Sequence, residues 1–571
     1  MNKLLRVNLT ESFLRSEALP EAYKFLGGRA LTSRIVADEV NPLADPLGPH
    51  NRLVFAPGLL SGTTLSSSSR ISVGAKSPLT GGIKEANAGG ETGLYLAQAG
   101  YRAVVVEGAR PAGDWVVLVV DADGNPRLEA AADLTGIGSF ETAKRLFERY
   151  GRDAALALIG PTGEMRMSIA GIGNTDREGR PSRLAARGGL GAVMGAKGLK
   201  ALVVLGDARH PLRAVDPELW KQSQKTYNQG LQTLPATKER YPTFGTAATL
   251  ELVNKLGGLP TRNFARGQFE QVDKISGITM RETILERGGE GTPTHSCMAG
   301  CVIRCSNVFP DSKGREIASS MEFETNALFG SNMEIADFDW IARYTWLCND
   351  LGSDTIETAG AIGVAMQAGV LPFGDAHGVA HLLDEEIRRG TPLGRILGGG
   401  AAHVGRTYGV REVPVVKGQT FAAYDPRAIK GNGVTYVTSP MGADHTAGNT
   451  IAAKTDQLDP AGKVALSRTV QIANMAMDML GFCAFARGVS DLSPDAFEGF
   501  FAARLGENWN WSEVQALALD ALKREVAFNR AAGLGRETDR LPEWMRETPL
   551  PPHQALFDVD EAELARIWDE E

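Results

Sequence analysis

The sequence predicts an α+β protein, with a β-rich N-terminal domain over residues 1–207 and two mainly α-helical domains over 208–405 and 406–571. Short apolar, β-branched runs separated by turn residues are concentrated before residue 207. Apolar periodicity of about 3.6 residues dominates after it. The two regions meet at a proline-containing linker that starts at His210-Pro211, and an irregular stretch over 406–432 marks the second boundary.

In the first domain we expect more strands than helices, with a hairpin turn at Asp123-Gly124. The predicted strands are Leu4–Leu9, Leu53–Ala56, Ile71–Ala75, Ala103–Glu107, Trp115–Val120, Leu156–Ile159, Met167–Ile172 and Ala201–Leu205. The predicted helices are Glu21–Val40, Glu91–Ala99, Phe140–Tyr150 and Leu190–Lys197. Beyond the linker, helical periodicity predicts helices at about 217–230, 246–256, 336–350, 355–367, 378–389, 394–404, 461–480, 494–505 and 512–531.

Composition narrows the class of protein. The 571 residues carry a net charge of −8, which argues against a nucleic-acid binder, because such proteins usually show a basic excess. No stretch approaches the roughly 20 apolar residues of a membrane helix, and the polar start does not resemble a signal peptide. We therefore expect a cytoplasmic protein. In that compartment the five cysteines do not predict a disulfide framework.

Four of the cysteines form a candidate metal site. Cys297, Cys301 and Cys305 recur every four residues, so all three can converge, and Cys483 lies far along the chain. Three close thiols plus one distant thiol are typical of an iron–sulfur cluster. Zinc and unrelated free thiols remain alternatives, although zinc sites usually use closely spaced pairs completed by histidines, and only His295 is near.

A glycine-rich segment over residues 69–91 is a candidate anion cradle. It carries Arg70, Lys84 and Asn87, and it ends in Gly89-Gly90. Exposed backbone N–H groups beside Arg and Lys suit a phosphate. The alternative is a glycine-rich turn region without a ligand.

A second glycine-rich patch contains Ala186, Arg187 and Gly188 at the start of a predicted helix. Its chemistry repeats that of the first segment. The order Gly-x4-Gly-Lys-Ser/Thr of a P-loop is absent, and so are the flanking strand and distant acid of a dinucleotide fingerprint.

Two loops share a pattern of an acid or amide, two residues, Gly, one residue, then Asp or Cys. One runs from Asn349 through Gly352 to Asp354, and the other from Asp478 through Gly481 and Phe482 to Cys483. Two related loops suggest two related halves of one ligand. For the first loop, the alternative is a helix that ends at Gly352, followed by a helix capped by Asp354.

Two glutamates and one histidine are candidates for the acid and base of a reaction. Glu322 and Glu324 lie in Met321-Glu-Phe-Glu-Thr-Asn326, and His445 lies in a glycine-containing polar turn. Glu and His form a natural pair for proton transfer near neutral pH, although isolated Glu and His residues are more often structural or solvated.

Together these segments resemble the tungsten-containing aldehyde:ferredoxin oxidoreductase family. The resemblance runs along most of the chain and rests on several motifs in one order: Gly27-Gly28-Arg29, 69–90, 187–195, 322–325, 349–354, Gly442-Ala-Asp-His445 and 478–483. It implies a tungsten (or molybdenum) bis-pyranopterin, Mg2+ between the two pterin phosphates, and a nearby [4Fe–4S] cluster.

The resemblance also implies a role for each site. The N-terminal domain would form the base beneath the pterins, and the helical domains would cover them. Arg70, Asn87 and the Ala186-Arg187 turn would lie at the phosphates and magnesium. The 349–354 and 478–483 loops would each hydrogen-bond one pterin. The cluster ligands would be Cys297, Cys301, Cys305 and Cys483, and the acid and base would be His445 with Glu322 or Glu324.

Two departures from the family pattern bear on the substrate. The first thiol gap is three residues, where Cys-x2-Cys is usual, and Asn349 and Ser353 stand where Asp and Leu are usual. Asn349 can still hydrogen-bond but carries no charge.

The resemblance implies oxidation of aldehydes to carboxylic acids, with single electrons passing through the cluster to ferredoxin or an iron–sulfur partner subunit. A dimer or hetero-oligomer would fit the family. One alternative is a low-potential reductase of acyl-CoA or aromatic thioesters on the same scaffold. A second is a zinc-stabilised helical binding protein without catalysis.

Overall fold

The computed structural model describes residues 3–206 and 211–569. The first residue of the predicted linker, His210, lies outside these ranges. Residues 3–206 form two six-stranded sheets. The strands are β1 Lys3–Asn8, β2 Phe13–Ala18, β3 Leu53–Pro57, β4 Ile71–Lys76, β5 Ile83–Ala88, β6 Tyr101–Glu107, β7 Val116–Val120, β8 Pro126–Ala130, β9 Ala154–Leu158, β10 Ile172–Asn174, β11 Arg183–Ala185 and β12 Leu199–Leu205.

The two sheets are both mixed. The strand orders are β2-β1-β6-β3-β4-β5 and β11-β10-β9-β12-β7-β8. Each sheet has one parallel pair, β1 with β6 and β7 with β12, and its other neighbours are antiparallel. The helices of this region are α1 Gly28–Glu39, α2 Thr92–Gln98, α3 Ser139–Tyr150, α4 Pro161–Glu164 and α5 Leu190–Ala196. Leu96 of α2 and Val193 of α5 share one buried core with both sheets, so these helices join the sheets.

Helices dominate residues 211–569. They are α6 Pro217–Thr233, α7 Tyr241–Phe244, α8 Thr249–Lys255, α9 Gly277–Arg287, α10 Phe323–Phe329, α11 Phe338–Leu351, α12 Thr355–Gln367, α13 Ala376–His381, α14 Pro392–Gly398, α15 Ala401–Tyr408, α16 Lys430–Thr438, α17 Lys463–Leu480, α18 Arg487–Leu492, α19 Pro494–Leu505, α20 Trp511–Ala531, α21 Trp544–Glu547 and α22 Glu561–Ala565. Five short strands interrupt them: β13 Thr292–His295, β14 Ser306–Pro310, β15 Glu316–Ala318, β16 Val415–Val416 and β17 Gln419–Thr420.

Two contacts tie distant segments together. Tyr227 of α6 packs edge-on against Phe497 and Phe500 of α19. Arg29 of α1 donates from Nε and Nη2 to the carboxylate of Glu525 on α20, at 3.0 and 2.7 Å, and both side chains are fully buried. Separating α20 from α1 would leave both charges buried without a partner, which is strongly unfavourable. This contact therefore holds α20 against the N-terminal domain.

The predicted fold class is confirmed: sheets form the N-terminal region and helices most of the rest. The hairpin turn at Asp123-Gly124 is also confirmed, because it joins β7 to β8. The domain boundaries at 207/208 and 405/406 stay predictions. Among residues 3–206 and 211–569, no single helix is long and apolar enough to cross a membrane. One pair, α17 with 484–492, meets the length and composition test together but is bent by 117°.

Three local predictions were wrong. The predicted strand Met167–Ile172 is a turn with one bridge at Ala170, and the strand begins at Ile172. The helix predicted from Glu21 begins at Gly28, because Gly27 is extended and Gly28 has a φ of +45°. The irregular stretch 406–432 contains the β16–β17 hairpin and the start of α16.

Candidate active site

The four predicted cluster cysteines come together. Cys297, Cys301 and Cys305 occupy the β13–β14 connection, and Cys483 follows α17. Ser67 joins the two segments, since its carbonyl accepts from the Cys483 N–H at 2.8 Å and its Oγ lies 3.4 Å from Cys301 Sγ. Cys348 is buried elsewhere, in the core of the helical region.

Burial and repulsion between neighbouring thiols raise the pKa values of Cys297, Cys305 and Cys483. Burial raises the pKa of Cys297 to about 12, and Cys301 adds to the rise. Burial also raises the pKa of Cys305 well above its ordinary value, with contributions from Glu322 and the other three thiols. Arg70 opposes the rise for Cys297 and Cys483. A cation therefore lies where thiolates would form.

The sulfur spacing does not match a single zinc ion. Within residues 3–206 and 211–569, only Asp176, Glu178 and His295 place three or more Cys, His or carboxylate ligand atoms within 4.8 Å of one another. A tetrahedral zinc site would hold its sulfurs about 3.8 Å apart. His295 is also engaged, with Nε2 at 2.9 Å from Glu178 and Nδ1 at 3.1 Å from Arg183.

The first glycine-rich segment lies against the thiols. The Gly90 N–H donates to the Cys297 carbonyl at 2.9 Å, and a Cβ on Gly89 would stand 3.0 Å from Cys297 Sγ. Arg70 donates to the Asn87 side chain, and its Nη2 donates to the Asn87 carbonyl at 3.4 Å. Although burial opposes it, Cys483, Cys297 and Asp478 raise the pKa of Arg70. The Arg70 backbone N–H also donates to the Gly481 carbonyl at 3.1 Å, so Arg70 contacts the loop that carries Asp478 and Cys483.

The second predicted loop ends α17. Gly481 adopts the left-handed conformation as the C-cap, with a φ of +89°. The Asp478 side chain is partly exposed, and burial together with Glu85 raises its pKa well above the ordinary value. Phe482 is fully buried, with ring centroids 5.4 Å from Tyr227 and 5.3 Å from Phe497. Its side chain belongs to the core.

This loop is packed directly on the backbone of the N-terminal domain. The N–H groups of Leu59 and Leu60 donate to the carbonyls of Met479 and Leu480 at 3.0 and 3.1 Å. A Cβ on Gly58 would lie 2.1 Å from the Gly481 nitrogen.

We expect Gly58→Ala to lower the free energy of unfolding by about 1–3 kcal/mol, because the added methyl meets backbone that cannot move aside. Differential scanning calorimetry at one scan rate checks this. The matched control is Gly488→Ala, where the nearest atom is the flexible end of Leu234 at 3.0 Å. Equal melting temperatures for the two variants would contradict the proposed packing constraint.

The first predicted loop has the capping geometry that was its alternative interpretation. Gly352 is the left-handed C-cap of α11, and the Asp354 side chain accepts from the Ile356 N–H at 3.0 Å as the N-cap of α12. Asp354 also accepts from Arg187 Nε at 3.3 Å. Asn349 is buried and donates to the Ser319 carbonyl at 3.3 Å.

The second glycine-rich patch brings Arg187 into a buried charge network. Its Nη1 and Nη2 donate to the carbonyls of Ala443 and Thr420, both at 2.6 Å. Glu357 lies 3.7 Å from Nη2, and burial raises its pKa to about 7. A Cβ on Gly188 would lie 2.4 Å from Lys84 Cγ, so a glycine here leaves room for the Lys84 side chain. Ala186 stands in the same turn, with its Cα against Gly171.

Lys84 continues this network as the buried ion-pair partner of Asp444. Burial opposes ionisation of Asp444, but Lys84 and Arg187 hold the pKa of Asp444 well below its usual range. Asp444 and Glu357 were not predicted as site residues. Each is close in sequence to one that was, next to His445 and three residues after Asp354.

His445 pairs with Glu324. Their Nε2 and Oε1 atoms are 2.9 Å apart, and both side chains are about 15% exposed. Burial opposes the charged forms, but each partner stabilises the other, so the pKa of His445 is raised and that of Glu324 is lowered. Glu322 faces elsewhere: its Oε2 accepts from Thr246 Oγ1 at 2.5 Å, and it lies near Cys305.

Two models of one protein family match most of the chain. The family model of the aldehyde ferredoxin oxidoreductase N-terminal domain matches residues 4–206, and that of domains 2 and 3 matches residues 222–567. The chain belongs to the aldehyde ferredoxin oxidoreductase family. It is therefore an oxidoreductase of a tungsten-containing enzyme family, as the sequence motifs predicted.

Curated relatives of the aldehyde ferredoxin oxidoreductase family support this assignment. The chain is 32% identical to the tungsten-containing aldehyde ferredoxin oxidoreductase of Thermococcus kodakarensis and 31% identical to that of Pyrococcus abyssi. Each comparison covers 96% of this chain and 92% of the relative. The WOR-like subunit of an aliphatic sulfonate oxidoreductase from Pyrococcus furiosus is 26% identical over 79% of this chain and 76% of its own length.

A solved structure has the same fold. It is the active-site complex BamBC of benzoyl coenzyme A reductase with 1,5-dienoyl-CoA. The TM-score is 0.81, the identity is 21%, and 99% of this chain and 93% of the solved chain are covered. The likeness therefore extends over the whole architecture.

Proposed function

We propose that this family member oxidises aldehydes to carboxylic acids at a tungsten bis-pyranopterin and passes the electrons through a [4Fe–4S] cluster to ferredoxin or a partner subunit. The observation that carries the proposal is that β5 and the residue after it connect the acid–base pair to the thiols. Lys84 on β5 pairs with Asp444, which directly precedes His445. Asn87 on the same strand accepts from Arg70, and a Cβ on Gly89 would stand 3.0 Å from Cys297 Sγ.

The residues fit such a cofactor. Arg29 Nη1, Glu85 Oε1 and His445 Nδ1 are buried without a hydrogen-bond partner in the described part of the chain. Asp478 interacts electrostatically with Glu85 and Arg29 and presents a partly exposed carboxyl group. Orphaned buried polar atoms require partners, and a polar ligand would supply them.

The residues that would hold the cofactor are those of the predicted segments. Asp478 and the 349–354 loop would face one pterin each, and Arg70, Asn87 and the Ala186-Arg187 turn would lie at the phosphates and Mg2+. Cys297, Cys301, Cys305 and Cys483 would hold the cluster, because four cysteine thiolates are the usual ligands of a [4Fe–4S] centre. When bound, the metal centre accepts two electrons and the cluster relays them singly.

Side chains of the protein would donate and accept the protons of the reaction. His445, kept protonated by Glu324 at Nε2, would donate from Nδ1 to the aldehyde oxygen and polarise the carbonyl. The Glu324 carboxylate would accept the proton released when water adds to the carbonyl carbon. Oxidation of RCHO and water yields RCOOH, two protons and two electrons, and the acceptor takes both electrons.

The proposal is tested by purifying the protein without oxygen and measuring metals per chain, then assaying dye reduction with small aldehydes. We expect about four irons and one tungsten per chain together with aldehyde-dependent reduction. Activity restricted to reduction of aromatic CoA thioesters would replace aldehyde oxidation with the reductase alternative. Zinc alone, with no absorbance bleached by dithionite, would refute both.

The Glu324–His445 pair also predicts a pH dependence. Burial and Arg187 lower the pKa of His445, but Glu324 and Asp444 raise it by more, so the pKa lies above its ordinary value. Its charged form therefore persists above about pH 6.5 and is lost as pH rises through the raised pKa. In Glu324→Gln we expect the basic limb of the kcat/KM profile to move to lower pH. Glu322→Gln should leave that limb in place, and a shared shift would contradict the assignment of Glu324.

A further inference from the structure

A basic cavity lies outside the candidate active site. It has a volume of about 350 Å³ and is formed where the turn after α4 meets α14, α15 and the β16–β17 hairpin. Its basic lining residues are Arg166, Arg395, Arg406 and His403, and none of the described Asp or Glu residues lines it. Three arginines around one cavity without an acid give a strongly positive local potential.

The three arginines are solvent-exposed and form no ion pair within the described residues. Arg395 donates from Nη1 to the Met165 carbonyl at 2.7 Å and from Nε to the Gly390 carbonyl at 3.3 Å, so backbone fixes its orientation while its charge stays unpaired. The side chains of Arg166 and Arg406 make no hydrogen bond or ion pair within residues 3–206 and 211–569. An unpaired guanidinium group can donate two parallel hydrogen bonds to one oxyanion, such as a phosphate.

We propose that this cavity binds a small phosphate-bearing anion. Several positive charges favour a ligand with more than one negative charge, and phosphate groups carry this charge in a compact form. The volume exceeds that of a single ion and suits a pyrophosphate or a phosphorylated small molecule.

The cavity also adjoins the cofactor cradle. Its wall includes Pro78 and Leu79, and Ser77 of the same loop donates from Oγ to the Gly188 carbonyl at 2.6 Å. Gly418, on the β16–β17 turn, completes the wall against Leu79. A bound anion would therefore contact the 77–79 loop, which packs against the Arg187 turn through Ser77.

Isothermal titration calorimetry on the full-length holoenzyme tests this proposal, with inorganic phosphate, pyrophosphate and ADP as separate titrants in magnesium-free buffer at physiological ionic strength. We expect one saturable site per chain for at least one titrant. Binding of phosphate or pyrophosphate would assign a free anion, whereas binding of ADP alone would assign a phosphorylated organic molecule.

The variant Arg166→Gln/Arg406→Gln should weaken that binding about tenfold or more, because each arginine supplies charge-assisted hydrogen bonds. The control is Arg389→Gln/Arg536→Gln, which removes the same charge from exposed arginines elsewhere. Neither arginine of the first variant bonds to the described fold, so folding should be retained, and melting temperatures check this. The proposal is overturned by no saturable binding of any titrant, or by equal weakening in both variants.

Discussion

Replacing His445 by Gln should lower kcat/KM for aldehydes by about 10²- to 10⁴-fold, the usual contribution of a positioned general acid. Glutamine can still hydrogen-bond to Glu324, but it has no acidic proton like the one that imidazolium Nδ1 would give to the aldehyde oxygen. Tungsten and iron per chain should stay at the wild-type level, because among the described residues the His445 side chain lies against Glu324, Asp444 and Tyr424, none of which is a predicted ligand of the cofactor.

The measurement is steady-state dye reduction alongside metal analysis of the same preparations. The matched control is His381→Gln. That histidine is 61% exposed, and its one ion-pair partner among the described residues is Glu386 at 3.5 Å, so its removal should leave turnover unchanged. Wild-type activity in His445→Gln with full metal content would refute the proposed role of His445 and leave the metal site intact.

Much of this site was predictable because its chemistry is local in sequence. The thiol spacing, the two Gly-containing loops and the glycine-rich cradle are contiguous segments, and the fold brings these segments together. The choice between Glu322 and Glu324 was not predictable. Glu322 is the N-cap of α10 and Glu324 lies two residues on, so the two side chains cannot share one face.

Other features were hidden because they depend on tertiary contacts. Asp444 and Glu357 gain their significance from Lys84 and Arg187, which lie far from them in sequence. Phe482 was predicted to bind the cofactor because it lies in the loop motif, yet its side chain packs in the core. The predicted strand at Met167–Ile172 failed because the chain turns there to meet the α14 end and Gly352.

Replacing Cys483 by Ser should remove most of the iron and abolish electron transfer to ferredoxin or dyes. Cys483 is the one cluster candidate outside the β13–β14 connection, so it alone ties that connection to the second predicted pterin loop through the cluster. Its N–H bond to Ser67 would persist in the serine variant, which separates loss of the ligand from loss of the loop. Iron content and the dithionite-bleachable spectrum measure the effect.

The control for this experiment is Cys348→Ser, which alters a fully buried thiol away from the other four, whereas Cys483 is half-buried. Burial raises the pKa of Cys348 to about 12, and the other cysteines do not contribute. We expect this variant to keep about four irons per chain. If Cys483→Ser kept its iron while Cys348→Ser lost it, the ligand set would have to be reassigned. Loss in both variants would point to destabilised folding, which their melting temperatures would distinguish from loss of a ligand.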